Sequence, residues 1–529
     1  MVRRLPLAAA ATAVAAMVAA ALPAPAPAAN SRPVTLPSVR DWRGGEGTFA
    51  VRRGSRVVVP RAQRRRLRPE ARLLAADLRR VTGRPVRVRV QRRRRLRRGD
   101  VGLALRRRRR PALGGEGYRI AIGRAVRIGA NRRAGLFYGG RTLLQLLRQG
   151  PAPRGRARDW PRYPERGLMV DVGRKYFTVD WLRSHIRELA WLKLNYLHLH
   201  LSDNQGFRVE SEGHPEIVSD PHLTKAEVRR LIALAARHHI TVVPEIDMPG
   251  HMQAALAPHP ELQLRSAAGT PSPANLDYTK PEAREFAYEL VREYLALFPG
   301  PYWHAGADEY LITVPGFQTP ADYAAYPQLE QYARDRYGPG ATAKDGILGF
   351  VESVGELVRS RGKTLRIWHD GLEGGSVVKV DPRTVIDWWI DTQGPTPREL
   401  VDAGHRVMNA GWFPTYYVQG PFAAYRPDMR TAYESWEVHE FYGPFVYDET
   451  LQNPPETLER GEPLGSKVHV WNDEPEAQTE EEIAAGIAPR LRVVAQKTWD
   501  APLLTEAYGE FRRLTEPLGH TPGWTVAEP

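Results

Sequence analysis

Residues 225–251 read KAEVRRLIALAARHHITVVPEIDMPGH. The first part spaces its apolar residues as an amphipathic helix does and predicts one over Lys225–His238. Thr241–Ile246 is a short apolar run that predicts a strand. Past it stand Glu245, Asp247 and His251, polar groups gathered where an apolar run stops. The same alternation extends in both directions. Strands are expected at Gly167–Val172, Tyr196–Leu201, Tyr302–Ala305, Leu365–Trp368, Val385–Trp389, Arg406–Met408 and Val468–Trp471. Helices are expected at Asp180–Leu192, Pro281–Leu297, Asp345–Arg361 and Thr396–Ala403. Eight strands with intervening helices predict an α/β fold, a (β/α)8 TIM barrel, better than an open sheet. Gly411–Gly465 lacks a helix period and is expected as a long loop at the seventh crossover, where long loops usually serve the site.

Upstream, residues 34–150 predict a small α/β domain. Strands are expected at Val57–Val59 and Val86–Val90, a hairpin at Tyr118–Ile122 and Val126–Ile128, and helices over Glu70–Val81 and Gly135–Leu147. Residues 151–165, rich in Pro, Arg and Gly, are expected as a linker. The barrel takes 166–500 and a tail 501–529. The first 29 residues carry Arg3 and Arg4, an apolar run from Leu5 to Leu22 and small residues to Ala29. They read as a secretory signal peptide cleaved near Ala26–Ala29, which implies a secreted, extracellular protein. A retained anchor is the competing reading. No other apolar run approaches the ~20 residues of a membrane span.

The chain of 529 residues has a net charge of +16, 42% hydrophobic and 26% charged residues, and no cysteine. This is ordinary globular usage, and it excludes disulfides and thiol chemistry. The charge is local. Arg52–Arg110 holds 25 arginines against Glu70, Asp77 and Asp100, a balance of +22 that leaves −6 elsewhere. A solvated arginine surface is the favoured reading over polyanion binding, and no nucleic-acid partner is expected.

A barrel of this type places its active site at the C-terminal strand ends. The polar residues there are Asp171 and Arg174, Ser202 to Gln205, Glu245 to His251, Asp308 and Glu309, Trp368 to Asp370, Trp388 and Trp389, and Trp471 to Glu474. Carboxylates and tryptophans thus converge on one mouth. Flat rings stack on sugar faces, carboxylates accept bonds from hydroxyls, and glycosidic cleavage needs a positioned acid and base. Adjacent carboxylates, and burial among indoles, raise carboxyl pKa values.

Four segments carry a resemblance: RGLMVDVGRKYF at 166–177, HLHLSDNQGFR at 198–208, PEIDMPGH at 244–251 and HAGADE at 304–309. They resemble glycoside hydrolase family 20, the family of β-N-acetylhexosaminidases and lacto-N-biosidases. The segments at Gly117–Ile120 and Gly135–Leu147 resemble the small domain that often precedes its barrel. The resemblance implies a retaining exo-glycosidase that uses substrate-assisted catalysis, an exception to the two-carboxylate scheme. Its substrate would be a glycan ending in β-linked GlcNAc or GalNAc, with no metal and no cofactor. By the same resemblance, Glu309 is the general acid/base and Asp308 orients the 2-acetamido group. Arg166 binds sugar hydroxyls, and Asp203, Asp247 and His251 form a supporting network. Trp368, Trp389 and Trp471 wall the pocket, Tyr417 bonds the acetamido oxygen, and Asp473 binds a hydroxyl. Gln419 stands where many members have Asp, Asn204 replaces a frequent Asp, Ala307 a Gly and Lys175 a His. These departures bear on specificity and leave a lacto-N-biosidase releasing Gal-β-1,3-GlcNAc as the alternative. Intact Asp308 and Glu309 speak against a non-catalytic glycan-binding protein.

Three places have more than one reading. His198 and His200 share a strand face and are expected as hydrogen-bonded core histidines rather than metal ligands. Trp388 and Trp389 point opposite ways on a strand, and Trp389 is assigned to the pocket. Asp247 has a plainer reading as a turn residue before Pro249. Oligomeric state is not readable from the sequence.

Overall fold

The computed structural model describes residues 29–529 except 93–94, 107, 109, 312–322, 392–393, 421–422, 424–425 and 444–454. The expected signal peptide, but for Ala29, lies outside the described residues.

The N-terminal domain is a seven-stranded mixed sheet: β1 (Asp41–Phe49), β2 (Arg56–Pro60), β3 (Arg87–Gln91), β4 (Val101–Leu105), β5 (Tyr118–Ile122), β6 (Val126–Ala130) and β7 (Ala152–Asp159). Their spatial order is β1-β7-β5-β6-β4-β2-β3. Helices α1 (Arg64–Thr82) and α2 (Arg133–Arg148) bury Leu67, Leu74, Leu78, Leu136 and Leu143. The hairpin and both helices fall where the periodicity put them. Residues 152–159, expected within a linker, instead pair antiparallel with β1 and β5 and complete the sheet. Strand seven alternates arginine outside with Ala157 and Asp159 inside, a period-2 pattern that Pro and Gly content obscured.

The barrel follows at once. Its strands are β8 (Glu165–Asp171), β9 (Tyr196–His200), β10 (Thr241–Glu245), β11 (Tyr302–His304), β12 (Thr364–Trp368), β13 (Val385–Trp388), β14 (Arg406–Asn409) and, after one further short strand β15 (Tyr416–Val418), β16 (Gly465–Trp471). All pair in parallel, and β16 returns to β8 to close the ring. The helices between them include α3 (Val179–Trp191), α4 (Lys225–Arg237), α5 (Pro281–Leu297) and α6 (Ala343–Ser360). Helix α4 starts on a reciprocal cap, Thr224 with Glu227, which satisfies backbone donors at its first turn.

The 411–465 segment is partly ordered by strand pairing. Strand β15 lies parallel to β16, with Tyr416 opposite His469 and Val418 opposite Trp471. It fills the gap between β14 and β16, which meet only at Asn409 and Ser466. The expected tail is structured as well. After the long helix α7 (Glu480–Trp499) comes α8 (Tyr508–Thr515). Beyond it the His520 ring stacks on Trp524, which abuts His185 of α3.

Candidate active site

The loop after β11 is held in a conformation that side chains rarely adopt. Gly306, Ala307 and Glu309 have φ of +65°, +71° and +49°. A Cβ at Gly306 would overlap the Asp247 carboxylate, so this position requires glycine. Ala307 donates its N–H to Asp247 Oδ1 at 3.2 Å. Glu309 donates its N–H to Asp370 Oδ2 at 3.0 Å. Two carboxylates from neighbouring strand ends therefore clamp the backbone that presents Asp308 and Glu309. Strain held in this way is characteristic of functional loops.

His251 stands between the acids. Its Nε2 lies 3.3 Å from Glu309 and 3.8 Å from Asp308, and its Nδ1 lies 3.3 Å from Asp203. Burial opposes the imidazolium, but Asp203, Glu309 and Asp308 together hold its pKa well above the ordinary histidine value. Burial also opposes the Asp203 carboxylate, yet Arg174 and His251 hold its pKa well below the usual range. Arg174 reaches Asp203 at 2.9 Å, Asp171 at 3.1 Å and Asp473 at 3.8 Å, with its guanidinium 5.1 Å from the Trp471 ring centre.

Asp247, Asp308, Asp370 and Asp473 are pushed the other way. Burial, then the charge of Asp308, raises Asp247 well above the usual carboxylate range. Burial and Glu309 raise Asp308 against the pull of His251. Burial and Asp308 raise Asp370 to about 7, although Trp389 Nε1 and Glu309 N donate to it. Asp473 is raised to about 6, by burial first. Among the described residues, Asp308 Oδ1 and Asp247 Oδ2 are buried and accept no hydrogen bond. A site with several carboxyls poised near neutrality can hold and move a proton.

The walls are aromatic. Trp368 and Trp471 stand 5.8 Å apart, Trp389 stacks parallel to Tyr416 at 6.3 Å, and Tyr416 is 6.0 Å from Trp471. Trp368 is the floor, its Nε1 donating to buried Glu245 at 2.8 Å. Trp388 packs the other way, against Phe441 and His369. Below the floor, His198 and His200 both approach Glu245, and His200 also bonds Asp203 at 2.8 Å. They form a hydrogen-bonded network of the barrel interior.

Asp308, Glu309, Asp203, Asp247, His251, Trp368, Trp389, Trp471 and Asp473 thus come together at one mouth. Three expected residues do not. Arg166 sits at the start of β8, at the opposite end of the barrel. It is fully buried, paired with Glu116 at 3.0 Å and donating to the carbonyls of Tyr163 and Lys193. The guanidinium at the mouth belongs to Arg174, at the strand's other end. Tyr417 points outward, donating to Gln478 at 2.9 Å under the guanidinium of Arg426. Tyr416 takes the inward position, because pairing with β16 sets the phase of β15. Gln419 is buried and bonded to Asn472, away from the acid cluster.

Arg174 and Asp370, expected at strand ends but given no role, and Tyr416, which was not expected, complete the site. Arg174 is legible as the first charged residue past β8. Asp370 follows Trp368 by two positions, and only the fold puts it under Glu309.

Comparison with known proteins agrees with this geometry. The catalytic domain of glycosyl hydrolase family 20 matches residues 163–502, and domain 2 of the same family matches residues 32–160. A lacto-N-biosidase of Bifidobacterium bifidum is 32% identical over 499 residues, 93% of this chain but 42% of that protein. The chain thus spans less than half of that relative's length. A β-N-acetylhexosaminidase of Cellulomonas fimi is 31% identical over 475 residues, 81% of this chain and 83% of its own. Two solved structures superpose closely at 26% identity. A GH20 β-N-acetylhexosaminidase of Streptomyces coelicolor A3(2) has a TM-score of 0.69 and covers 92% of this chain and 96% of its own. A mutant β-hexosaminidase of Streptomyces plicatus in complex with product GlcNAc has a TM-score of 0.71 and covers 95% and 98%. In both its domains the chain belongs to glycosyl hydrolase family 20.

Proposed function

We propose that this protein is a secreted, retaining exo-β-N-acetylhexosaminidase acting by substrate-assisted catalysis. The observation that carries the reading is the Asp308–Glu309 pair. Both carboxylates face one histidine, His251, on one side of the site, instead of flanking it. A nucleophile for the opposite face then comes from the substrate. Glu309 protonates the glycosidic oxygen as the bond to the anomeric carbon breaks. The carbonyl oxygen of the 2-acetamido group attacks that carbon, giving a cyclic oxazolinium, while Asp308 accepts from the amide N–H. Water then opens the ring, with Glu309 taking its proton, and configuration is retained. The rings of Trp389, Tyr416 and Trp471 supply apolar surface for the acetamido methyl and the sugar face.

Aryl β-glycosides test this. GlcNAc and GalNAc glycosides should be cleaved, the 2-hydroxy glucoside should not, and an N-trifluoroacetyl analogue should be slow, because its carbonyl is a poorer nucleophile. Equal rates for the glucoside and the GlcNAc glycoside overturn the reading.

A second reading, release of Gal-β-1,3-GlcNAc, draws support from Gln419. That side chain is neutral and turned to Asn472, so it presents no carboxylate to the terminal sugar. Cleavage of the lacto-N-biose aryl glycoside, with little release from the GlcNAc one, would favour it.

A further inference from the structure

Two His-Pro-Glu tripeptides, His214–Glu216 and His259–Glu261, stand far apart in sequence. The fold brings them together. His214 lies in the loop between β9 and α4, and His259 in the loop between β10 and α5. These are the loops that also carry Asp203 and His251. Glu216 Oε1 lies 3.2 Å from His214 Nδ1 and 2.9 Å from His259 Nε2.

Each ring is gripped from behind by a second carboxylate. His214 Nε2 lies 3.1 Å from Glu289 of α5, and His259 Nδ1 lies 3.5 Å from Glu261. Phe286 packs against both rings, at 4.8 and 5.2 Å, fixing their orientation. Among the described residues, neither Glu216, Glu261 nor Glu289 is paired with a lysine or arginine. Three carboxylates therefore surround two imidazoles, a surplus of negative charge.

The protonation pattern follows. A neutral imidazole carries one N–H. If it is donated outward to Glu289 or Glu261, the inner nitrogen is a lone pair aimed at the Glu216 carboxylate. In that tautomer two lone pairs and an anionic oxygen converge at about 3 Å, a donor set that a cation can occupy. In a tetrahedral zinc site with bonds near 2.0–2.1 Å, neighbouring ligand atoms stand about 3.3 Å apart. The two distances from Glu216, 3.2 and 2.9 Å, are within a few tenths of an ångström of that. A carboxylate behind each ligating histidine is the usual outer support of a zinc site. The side chains of His214, Glu216 and His259 are 16%, 40% and 23% exposed, which leaves an entry path. The grouping His198–Glu245–His304 is sealed in the barrel interior, and Asp247–His251–Asp308 belongs to the mouth already described.

We propose that His214, Glu216 and His259 form a surface zinc site, completed by water, that staples the two loops supplying Asp203 and His251. The site lies outside the pocket and takes no part in the chemistry proposed there.

The test uses tag-free full-length protein, stripped with a chelator and titrated calorimetrically with zinc chloride. We expect one equivalent bound at micromolar zinc, with a rise in Tm. His259→Ala should abolish that binding. Glu289→Gln keeps all three ligands and should weaken it by about 10–100-fold. Absence of saturable uptake overturns the proposal, as does one-equivalent uptake unchanged in His259→Ala. Should His259→Ala fail to fold, an unchanged affinity in Glu289→Gln overturns it alone. Binding is the readout throughout, so the result does not depend on which glycoside is cleaved.

Discussion

The two ends of the barrel interior are both charged, and they are charged differently. At the bottom, Glu165 and Asp387 meet Arg366 and Lys467, two acids against two cations, all at most 2% exposed. Tyr302 adds a bond to Glu165 at 2.7 Å. Burial opposes the Asp387 carboxylate, but Arg366 and Lys467 hold its pKa well below the usual range. At the mouth, Asp308 and Glu309 face His251 while Asp247 and Asp370 hold the backbone that carries them, with Arg174 spent on Asp171, Asp203 and Asp473. The lesson is that balance marks structure and imbalance marks chemistry. A neutralised buried cluster locks its protons, whereas surplus carboxylates keep theirs near neutral pH.

The sharpest way to break this contrast is at the mouth. Glu309→Gln should lower kcat on substrates with poor leaving groups by roughly 10²–10⁴-fold, the usual worth of general acid/base help. Near-normal rates on a natural glycan would remove the assignment. Asp308→Ala should lose rate on the same order with an unchanged Tm, because among the described residues its Oδ1 accepts no hydrogen bond. A Tm falling in step with the rate would make Asp308 structural and erase the contrast.

At the bottom the effect should reverse. Arg366→Met strands Glu165 and Asp387 and should cost about 3–5 kcal/mol of stability, read by denaturant unfolding, with kcat of the folded protein little changed. A large kcat loss with intact stability would contradict it.

Asp370 allows a finer test through pH. Its folded pKa of about 7 exceeds the unfolded value of 3.8, so the native state binds the extra proton between them. Stability should therefore fall as pH rises from about 4 to about 7, by on the order of 1–4 kcal/mol. Asp370→Asn should flatten that slope; an unchanged slope would show that Asp370 does not titrate there. The smallest expected effect is at Ala307, whose φ of +71° is strained for alanine. Ala307→Gly should raise stability by up to about 1 kcal/mol, the strain relieved being partly offset by glycine's chain entropy. A clear loss of midpoint would show that the methyl packs usefully.

Much of this was legible beforehand. Each expected barrel strand falls within three residues of its place, because buried parallel strands are near-continuous apolar runs and helices carry the 3.6 period. The acid pair, the histidine and the three indoles follow from strand ends. What failed did so for identifiable reasons. Strand β7 is built of Arg, Gly, Pro and Ala and is a strand because β1 and β5 border it. Arg166 and Arg174 flank one strand eight residues apart, and only strand direction says which guanidinium reaches the mouth.

The sequence by itself determined the element order, the barrel class and the presence of Asp308 and Glu309 at a strand end, since periodicity and motif are properties of neighbours along the chain. Tertiary structure decided which face each residue shows. Pairing of β15 with β16 turned Tyr416 inward and Tyr417 outward, because a one-residue change of phase flips every side chain. It also set Asp370 under the Glu309 backbone and joined His214 to His259, contacts between residues 61 and 45 positions apart that no local pattern encodes.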